Sequence, residues 1–189
     1  MKKFLATLLC VCLFSAGVVV AQPILKYNNL DVAYRLTDEE DVDNFHGLFT
    51  NLSYSFLEYT FLNVGYQYDE NDLMDVNTFQ YGGGLYYPII PEVHVVGRIG
   101  GQHAEADVDY LGSVTDDIFY IGPQLRWEAI CKILEINGAF TWYDGEGDTD
   151  HEFEVGAVVA ATENLGLNLS AHFLENDIQQ YVMGIRLTF

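Results

Sequence analysis

The chain has 189 residues, of which 50% are hydrophobic and 14% aromatic, and its 28 Asp and Glu outnumber its 8 Lys and Arg to give a formal net charge of −20 at pH 7. A surface this acidic repels nucleic acid, so nucleic-acid binding is excluded. The apolar and aromatic content argues equally against an unfolded chain.

The first 21 residues have the pattern of a cleaved secretory signal peptide. Lys2 and Lys3 precede an apolar run over 4–20, and small residues lead to a predicted cleavage after Ala21. The mature chain, 22–189, is predicted to form one domain. Loss of two lysines leaves six basic against 28 acidic residues, so the mature net charge is 6 − 28 = −22.

The cysteines of the mature chain predict neither a disulfide nor a metal site. Cys10 and Cys12 leave with the signal peptide, so the mature chain keeps only Cys131. One thiol forms neither an internal disulfide nor a zinc site.

The mature chain alternates apolar and polar residues with period two, which is the periodicity of β-strands. Ten strands are predicted, at about 24–37, 45–56, 60–69, 77–87, 93–104, 117–129, 132–143, 152–161, 165–174 and 178–189. These strands are longer than the usual five or six residues and match the roughly 9 to 11 residues that cross a bilayer at a tilt.

The predicted connections alternate between short turns and longer acidic segments. Short turns lie near 57–59, 88–92, 130–131 and 162–164; the acidic connections are 37–44, 69–77, about 104–116, 144–150 and 174–177. Most acidic residues fall in or beside the second set. An antiparallel meander across a membrane gives this alternation, so the acidic connections are predicted to face outward from the cell.

The two strand faces distinguish a membrane barrel from a soluble one. A soluble lipocalin-like barrel would turn Lys and Glu outward, whereas here the second face is small and neutral, as a confined polar interior requires. Aromatic residues gather near the strand ends like the girdles of a lipid-facing wall, with Tyr27, Phe56, Tyr87, Trp127 and Phe189 on the short-turn side. The predicted fold is an all-β, closed, antiparallel up-and-down transmembrane β-barrel of ten strands.

The signal sequence, the alternating strands and the terminal "YVMGIRLTF" together resemble the bacterial outer-membrane β-barrel proteins of the small OmpA- or OmpX-like, porin-like kind. The resemblance implies an integral outer-membrane location, with outer-membrane lipid and lipopolysaccharide as partners. It also implies that the barrel-assembly machinery reads the last strand through Tyr181, Ile185, Leu187 and Phe189. Small barrels of this kind commonly have eight strands, so eight remains an alternative to ten.

Charged residues on the inward parity predict the state of the lumen. The set comprises Asp31, Arg35, Arg98, Arg126, Glu128, Glu135, Glu154 and Arg186. An outward arginine at mid-membrane costs about 2 to 4 kcal/mol, so inward placement is required by energy alone. We predict a paired network that largely plugs the lumen of a non-catalytic protein with a structural or surface-interaction role, its extracellular partner unidentified. A narrow porin-like diffusion channel is the alternative, because inward glycines leave room.

A second alternative is an outer-membrane lipid-modifying hydrolase. Ser170 and His172 share the inward face two residues apart, with Glu175 and Glu154 as possible orienting carboxylates. The pair resembles the strand-borne serine and histidine of outer-membrane lipid A deacylases, although those enzymes present the site to lipid.

The segment "DGEGDTDHE" carries the remaining chemical signal. Asp144, Glu146, Asp148 and Asp150 offer oxygen ligands for a loosely bound divalent cation, shared with lipopolysaccharide phosphates. The spacing does not fit an EF-hand. No other cofactor is predicted, and the scattered His46, His94, His103 and His151 are not predicted to be ligands.

Overall fold

The computed structural model describes residues 25–38, 44–71, 73–108, 112–145, 149–175 and 178–189. The signal peptide predicted for residues 1–21 lies outside these ranges. No helix in the described part of the chain is long and apolar enough to cross a membrane.

The described chain forms ten β-strands. They are β1 (Asn29–Asp38), β2 (Phe45–Leu57), β3 (Thr60–Glu70), β4 (Met74–Ile90), β5 (Val93–Val108), β6 (Gly112–Ile130), β7 (Leu134–Asp144), β8 (Thr149–Ala160), β9 (Leu165–Leu174) and β10 (Gln179–Thr188). The prediction of ten strands is confirmed, and the alternative of eight is wrong.

Each strand pairs antiparallel with its neighbours in the chain, and β1 pairs with β10 to close the barrel. The closing register sets Asn29 opposite Thr188 and Arg35 opposite Val182. Closure leaves none of the ten strands with an unpaired edge, which is the requirement for crossing hydrocarbon, where unpaired N–H and C=O groups cost several kcal/mol each.

The two ends of the barrel differ. One end, which we call the turn end, holds the start of β1, the end of β10 and the turns 58–59, 91–92, 131–133 and 161–164. We call the opposite end the acidic end. Bulges occur near Ser55, Pro88 and Glu128, each in a strand approaching the turn end. A bulge increases local twist and bends the strand as it enters the turn.

The boundaries at the acidic end differ from the prediction. The segment 104–116 was expected to be a connection, but β5 continues to Val108 and β6 starts at Gly112, with Glu105 opposite Thr115. The alternation of faces continues through this acidic stretch. Glu105 and Asp107 lie on the outward face of β5, and Ala106 between them lies on the inward face. Most of the long connection expected at 104–116 therefore belongs to the strands β5 and β6.

The outer wall of the barrel is apolar. Large hydrophobic side chains are exposed along every strand, reaching 66% for Leu85 and 70% for Tyr87. A water-soluble domain rarely exposes a contiguous apolar surface of this extent, whereas a bilayer-embedded barrel requires one. The soluble, lipocalin-like alternative therefore does not fit the structure.

A glycine pair on β4 and β5 lets one aromatic ring lie flat against the inner wall. Gly82 faces Gly100 across the two strands, and a Cβ atom at either position would lie 2.4 or 2.5 Å from the Tyr120 hydroxyl oxygen or ring. Tyr120 is thereby buried inside the barrel. The ring narrows the lumen where the glycines would have widened it.

Candidate functional site in the barrel lumen

An ion-pair chain fills one half of the turn end. Arg126 donates to both carboxylate oxygens of Glu135, at 2.6 and 2.9 Å, and Arg186 donates to both oxygens of Asp31, at 2.8 and 3.0 Å. Arg186 Nη1 lies 3.8 Å from Glu135 Oε2, which joins the two pairs. Glu135 is fully buried and Arg126 is 5% exposed. The four residues belong to the predicted lumen network, and the structure brings them together.

An aromatic cluster fills the other half of the turn end. Tyr27 stacks on Tyr86 with ring centroids 3.8 Å apart, and Phe61 and His94 stack beside it at 5.2 and 6.0 Å. The Arg126 guanidinium lies 4.5 Å from the centroid of the Tyr27 ring. This cation–π contact joins the ionic and aromatic halves of what we call the plug.

The position of Tyr27 corrects the sequence prediction. Tyr27 was placed in the lipid-facing girdle, but it is 6% exposed and lies inside the barrel. The residue precedes β1 and shares the odd parity of Asn29 and Asp31, which is the inward parity of that strand. The neighbouring Asn28 holds the segment in place, because its side-chain oxygen accepts from Ser55 N–H and its carbonyl oxygen accepts from Phe189 N–H, at 2.6 and 3.1 Å.

Glu128 takes a different place from the rest of the predicted network. It lies directly opposite Glu135 in the β6–β7 register, and Glu135 already holds Arg126. The Glu128 carboxylate accepts instead from the backbone N–H of Lys132, a turn residue with φ of 63°. Glu128 therefore stabilises the 131–133 turn, and within the described ranges no arginine pairs with it.

Two further arginines extend across the lumen nearer the acidic end. Arg35 forms a two-bond ion pair with Asp69, which also accepts from the Gln67 amide at 2.9 Å. Arg98 donates to Thr141 Oγ1 at 2.8 Å and lies 3.7 Å from Glu154. The predicted lumen network did not include Asp69, which was placed at the boundary between a strand and an acidic connection although it has the inward parity of Gln67.

A serine, a histidine and a glutamate form a hydrogen-bonded row on β8 and β9. Ser170 Oγ lies 2.9 Å from His172 Nε2, and His172 Nδ1 lies 2.8 Å from Glu152 Oε1. The Tyr143 hydroxyl donates to the second oxygen of Glu152 at 2.9 Å. Of the two predicted orienting carboxylates, Glu154 lies opposite His172 but beside Arg98, and Glu175 pairs with His151; the carboxylate that bonds His172 is Glu152.

The row lines an internal cavity of about 240 Å³. The cavity wall is polar and includes Arg35, Arg98, Tyr120, Asn137, Asn168 and Gln180, with the plug residues Tyr27, Phe61 and Arg126 at its floor. The lumen is thus filled at the turn end and hollow above it.

The predicted divalent-cation site at 144–150 is described only in part. Asp144 and Asp150 are exposed at the ends of β7 and β8, with Asp150 opposite Tyr143, while Glu146 and Asp148 lie outside the described residues. Among the described residues, one group places three possible ligands within 4.8 Å of one another, namely Glu152, Glu154 and His172 in the lumen.

Histidines at the acidic end pair with carboxylates on the outward face. His46 lies 3.5 Å from Glu70, His103 lies 2.7 Å from Asp117, and His151 lies 2.5 Å from Glu175. Each pair joins two neighbouring strands. These three histidines are scattered in the sequence, and the strand register brings each beside a carboxylate.

The last strand presents the predicted assembly residues to the outside. Tyr181, Ile185, Leu187 and Phe189 are all exposed on the outer wall, with Phe189 at 60%. β10 closes the barrel against β1, so the chain terminus lies beside the final seam.

No protein-family model matches the chain, and no curated protein matches it by sequence. Solved structures do match. The NanC porin aligns with 85% of this chain and 100% of its own at 9% identity and a TM-score of 0.58. The β domain of the Bordetella autotransporter BrkA aligns with 85% of this chain and 98% of its own at 11% identity and a TM-score of 0.54. The KdgM porin, solved in complex with disordered oligogalacturonate, aligns with 85% and 99% at 10% identity and a TM-score of 0.50.

The chain has the fold of a bacterial outer-membrane β-barrel. The predicted likeness to small outer-membrane barrels and the predicted integral outer-membrane location are confirmed at the level of the fold. Identities of 9 to 11% carry no information on what passes through the barrel or binds to it.

Proposed function

We propose that this protein is a non-transporting outer-membrane barrel with a structural or surface-interaction role, closed at the turn end by its plug. The observation that carries the proposal is the contact between Arg126 and Tyr27, because it joins an ionic half and an aromatic half that together span the lumen. This role requires no catalysis and no cofactor.

The packing of the plug supports closure. Glu135 on one side and Val96 on the other have no solvent-accessible surface. Arg126 also donates to the Lys26 carbonyl at 3.2 Å, so the strand wall holds the inserted N-terminal segment. A hydrated pore would leave water beside these groups.

The charge distribution supports a surface role for the acidic end. The mature chain has six Lys and Arg. Lys26 and Lys132 lie at the turn end and four arginines lie in the lumen. The described residues on the outward face of the acidic end therefore include carboxylates and histidines but no Lys or Arg. Such a surface would meet lipopolysaccharide phosphates through shared divalent cations, and Phe189 would contact the barrel-assembly machinery during insertion.

A narrow diffusion channel is the second candidate, favoured by the polar cavity. An anionic oligosaccharide such as the oligogalacturonate named for KdgM is a poor solute for this chain, because the acidic end would repel it.

The orientation can be tested by labelling cysteines on intact cells with a membrane-impermeant maleimide. Cys131 is exposed in a turn at the turn end, and Ser113 is exposed on β6 at the acidic end. We expect Ser113→Cys, made in a Cys131→Ser background, to react on intact cells, and native Cys131 to react only after the outer membrane is permeabilised. Reaction of Cys131 on intact cells would reverse the orientation and remove the surface role.

A further inference from the structure

We propose that Ser170, His172 and Glu152 form a hydrolytic triad that faces the lumen cavity and cleaves small neutral or cationic esters. The activity is additional to the structural role and does not depend on it. It rests on side chains that the β8–β9 register brings together.

The three side chains have the mutual geometry of nucleophile, base and orienting acid. His172 is within hydrogen-bonding distance of Ser170 through Nε2 and of Glu152 through Nδ1, at 2.9 and 2.8 Å. With the proton on Nδ1, the imidazole donates to Glu152 and its free Nε2 accepts the serine proton. The Tyr143 hydroxyl fixes the other Glu152 oxygen, so the orienting carboxylate is itself held.

Gly156 and Asn137 lie close beside Ser170 in the cavity wall. Gly156 lies opposite Ser170 on β8, and a Cβ atom there would lie 3.2 Å from the Ser170 Cβ and 2.8 Å from Asn137 Oδ1. Asn137 is 7% exposed, and its Oδ1 atom is buried without a hydrogen-bond partner. Rotation of the Asn137 amide by 180° would aim an N–H toward Ser170, as an oxyanion donor does.

Hydrolysis of the ester by this triad consumes one water molecule and needs no other reagent. Ser170 Oγ attacks the ester carbonyl carbon while its proton passes to His172 Nε2. The tetrahedral intermediate collapses, the bond to the alcohol oxygen breaks, and the alcohol leaves with the proton from His172. Water then attacks the acyl-serine through the same base, which releases the carboxylic acid and restores the serine hydroxyl.

The size and charge of the cavity set the substrate class. A volume of about 240 Å³ admits a short acyl group and excludes a lipid chain. The carboxylates at the acidic end disfavour anionic esters. His172 and Glu152 keep 18% and 11% of their side-chain surface exposed, so solutes in the cavity reach them.

A metal site is the competing use of the same residues, because Glu152, Glu154 and His172 lie close together. Arg98 argues against it. Its guanidinium lies 3.7 Å from Glu154, where it would repel a cation bound between the two glutamates.

The test uses the full mature protein, folded in detergent micelles and checked by heat-modifiable gel mobility. The probes are p-nitrophenyl acetate and a short alkyl fluorophosphonate, with the modified residue located by mass spectrometry. We expect fluorophosphonate on Ser170 and ester hydrolysis that falls by about 100-fold or more in Ser170→Ala, since base-assisted attack contributes that much. Ser53→Ala, a lumen-facing serine on β2, is the matched control and should leave both readouts unchanged.

The positioning role of Glu152 has its own readout. Glu152→Gln should slow fluorophosphonate labelling of Ser170, and Glu152→Asp should restore part of it, while both variants keep wild-type gel mobility. Folded wild-type protein that neither labels at Ser170 nor hydrolyses the ester would overturn the proposal. So would hydrolysis that survives in Ser170→Ala, or a rise in the unfolding temperature with Zn²⁺ that Glu154→Gln abolishes.

Discussion

Tyr27 and Tyr86 lie face to face inside the turn end of the barrel, with their ring planes 9° apart. Tyr86 belongs to β4, whereas Tyr27 belongs to the segment before β1. The N-terminal segment is thus held inside the barrel by a contact that crosses the lumen. Its neighbours His94 and Arg126 complete a layer of stacked rings and one guanidinium.

Removal of one ring should open the plug. Tyr86→Ala deletes the ring that stacks most closely on Tyr27, so we expect liposomes carrying this variant to swell in small neutral sugars. Tyr87→Ala is the matched control, because Tyr87 is the next residue and faces outward with 70% exposure. Equal swelling rates for both variants would count against the aromatic half of the plug.

Removal of Glu135 should destabilise the barrel more than removal of any exposed glutamate. Glu135→Ala leaves Arg126 buried without its counter-charge, and breaking a buried ion pair costs about 3 to 5 kcal/mol. The measurement is the free energy of unfolding in urea, followed by heat-modifiable gel mobility. Glu163→Ala, in an exposed turn at the same end, should leave this free energy unchanged.

A small loss in Glu135→Ala would mean that water screens the remaining arginine. That result would favour the channel over the plugged barrel. The loss of unfolding free energy in Glu128→Ala should lie between those of Glu135→Ala and Glu163→Ala. Glu128 is buried, but its carboxylate accepts from a turn N–H and pairs with no arginine within the described ranges.

The fold followed from the sequence more fully than the site did. Period two identified all ten strands, and the register between β1 and β10 sets Asp31 directly opposite Arg186, two predicted members of the network. Contacts across the lumen depend on barrel diameter and strand stagger, which strand periodicity does not determine. Two such contacts join strands that are not neighbours: Arg35 on β1 contacts Asp69 on β3, and Arg98 on β5 contacts Glu154 on β8.

Acidic residues near strand ends were the main source of error. Asp69 and Glu152 were predicted at strand ends and grouped with the neighbouring acidic segments, yet each continues the inward parity of its strand, next to Gln67 and Glu154 respectively. Parity was the available signal, and it would also have placed Tyr27 inside. Glu152 was not predicted to be the carboxylate beside His172, so the hydrogen-bonded row was not recognised from the sequence.

Phe189 should matter for insertion rather than for stability. Phe189→Ala removes the terminal aromatic that resembles an assembly signal, so we expect less folded protein in outer-membrane fractions. Phe56→Ala removes a similar exposed ring, 49% against 60%, from β2 and should change the folded yield less. A wild-type yield in Phe189→Ala would remove the assembly role of the terminus.

The closure of the lumen is tested most directly by single-channel recording of the unmodified mature protein in planar lipid bilayers. The Arg126–Glu135 pair and the Tyr27–Tyr86 stack fill the turn end, so we expect no steady conductance steps at neutral pH and moderate salt. Insertion is checked by recovering folded, heat-modifiable protein from the same preparation. Steady, uniform conductance steps from the unmodified protein would contradict the plugged barrel and establish the narrow channel in its place.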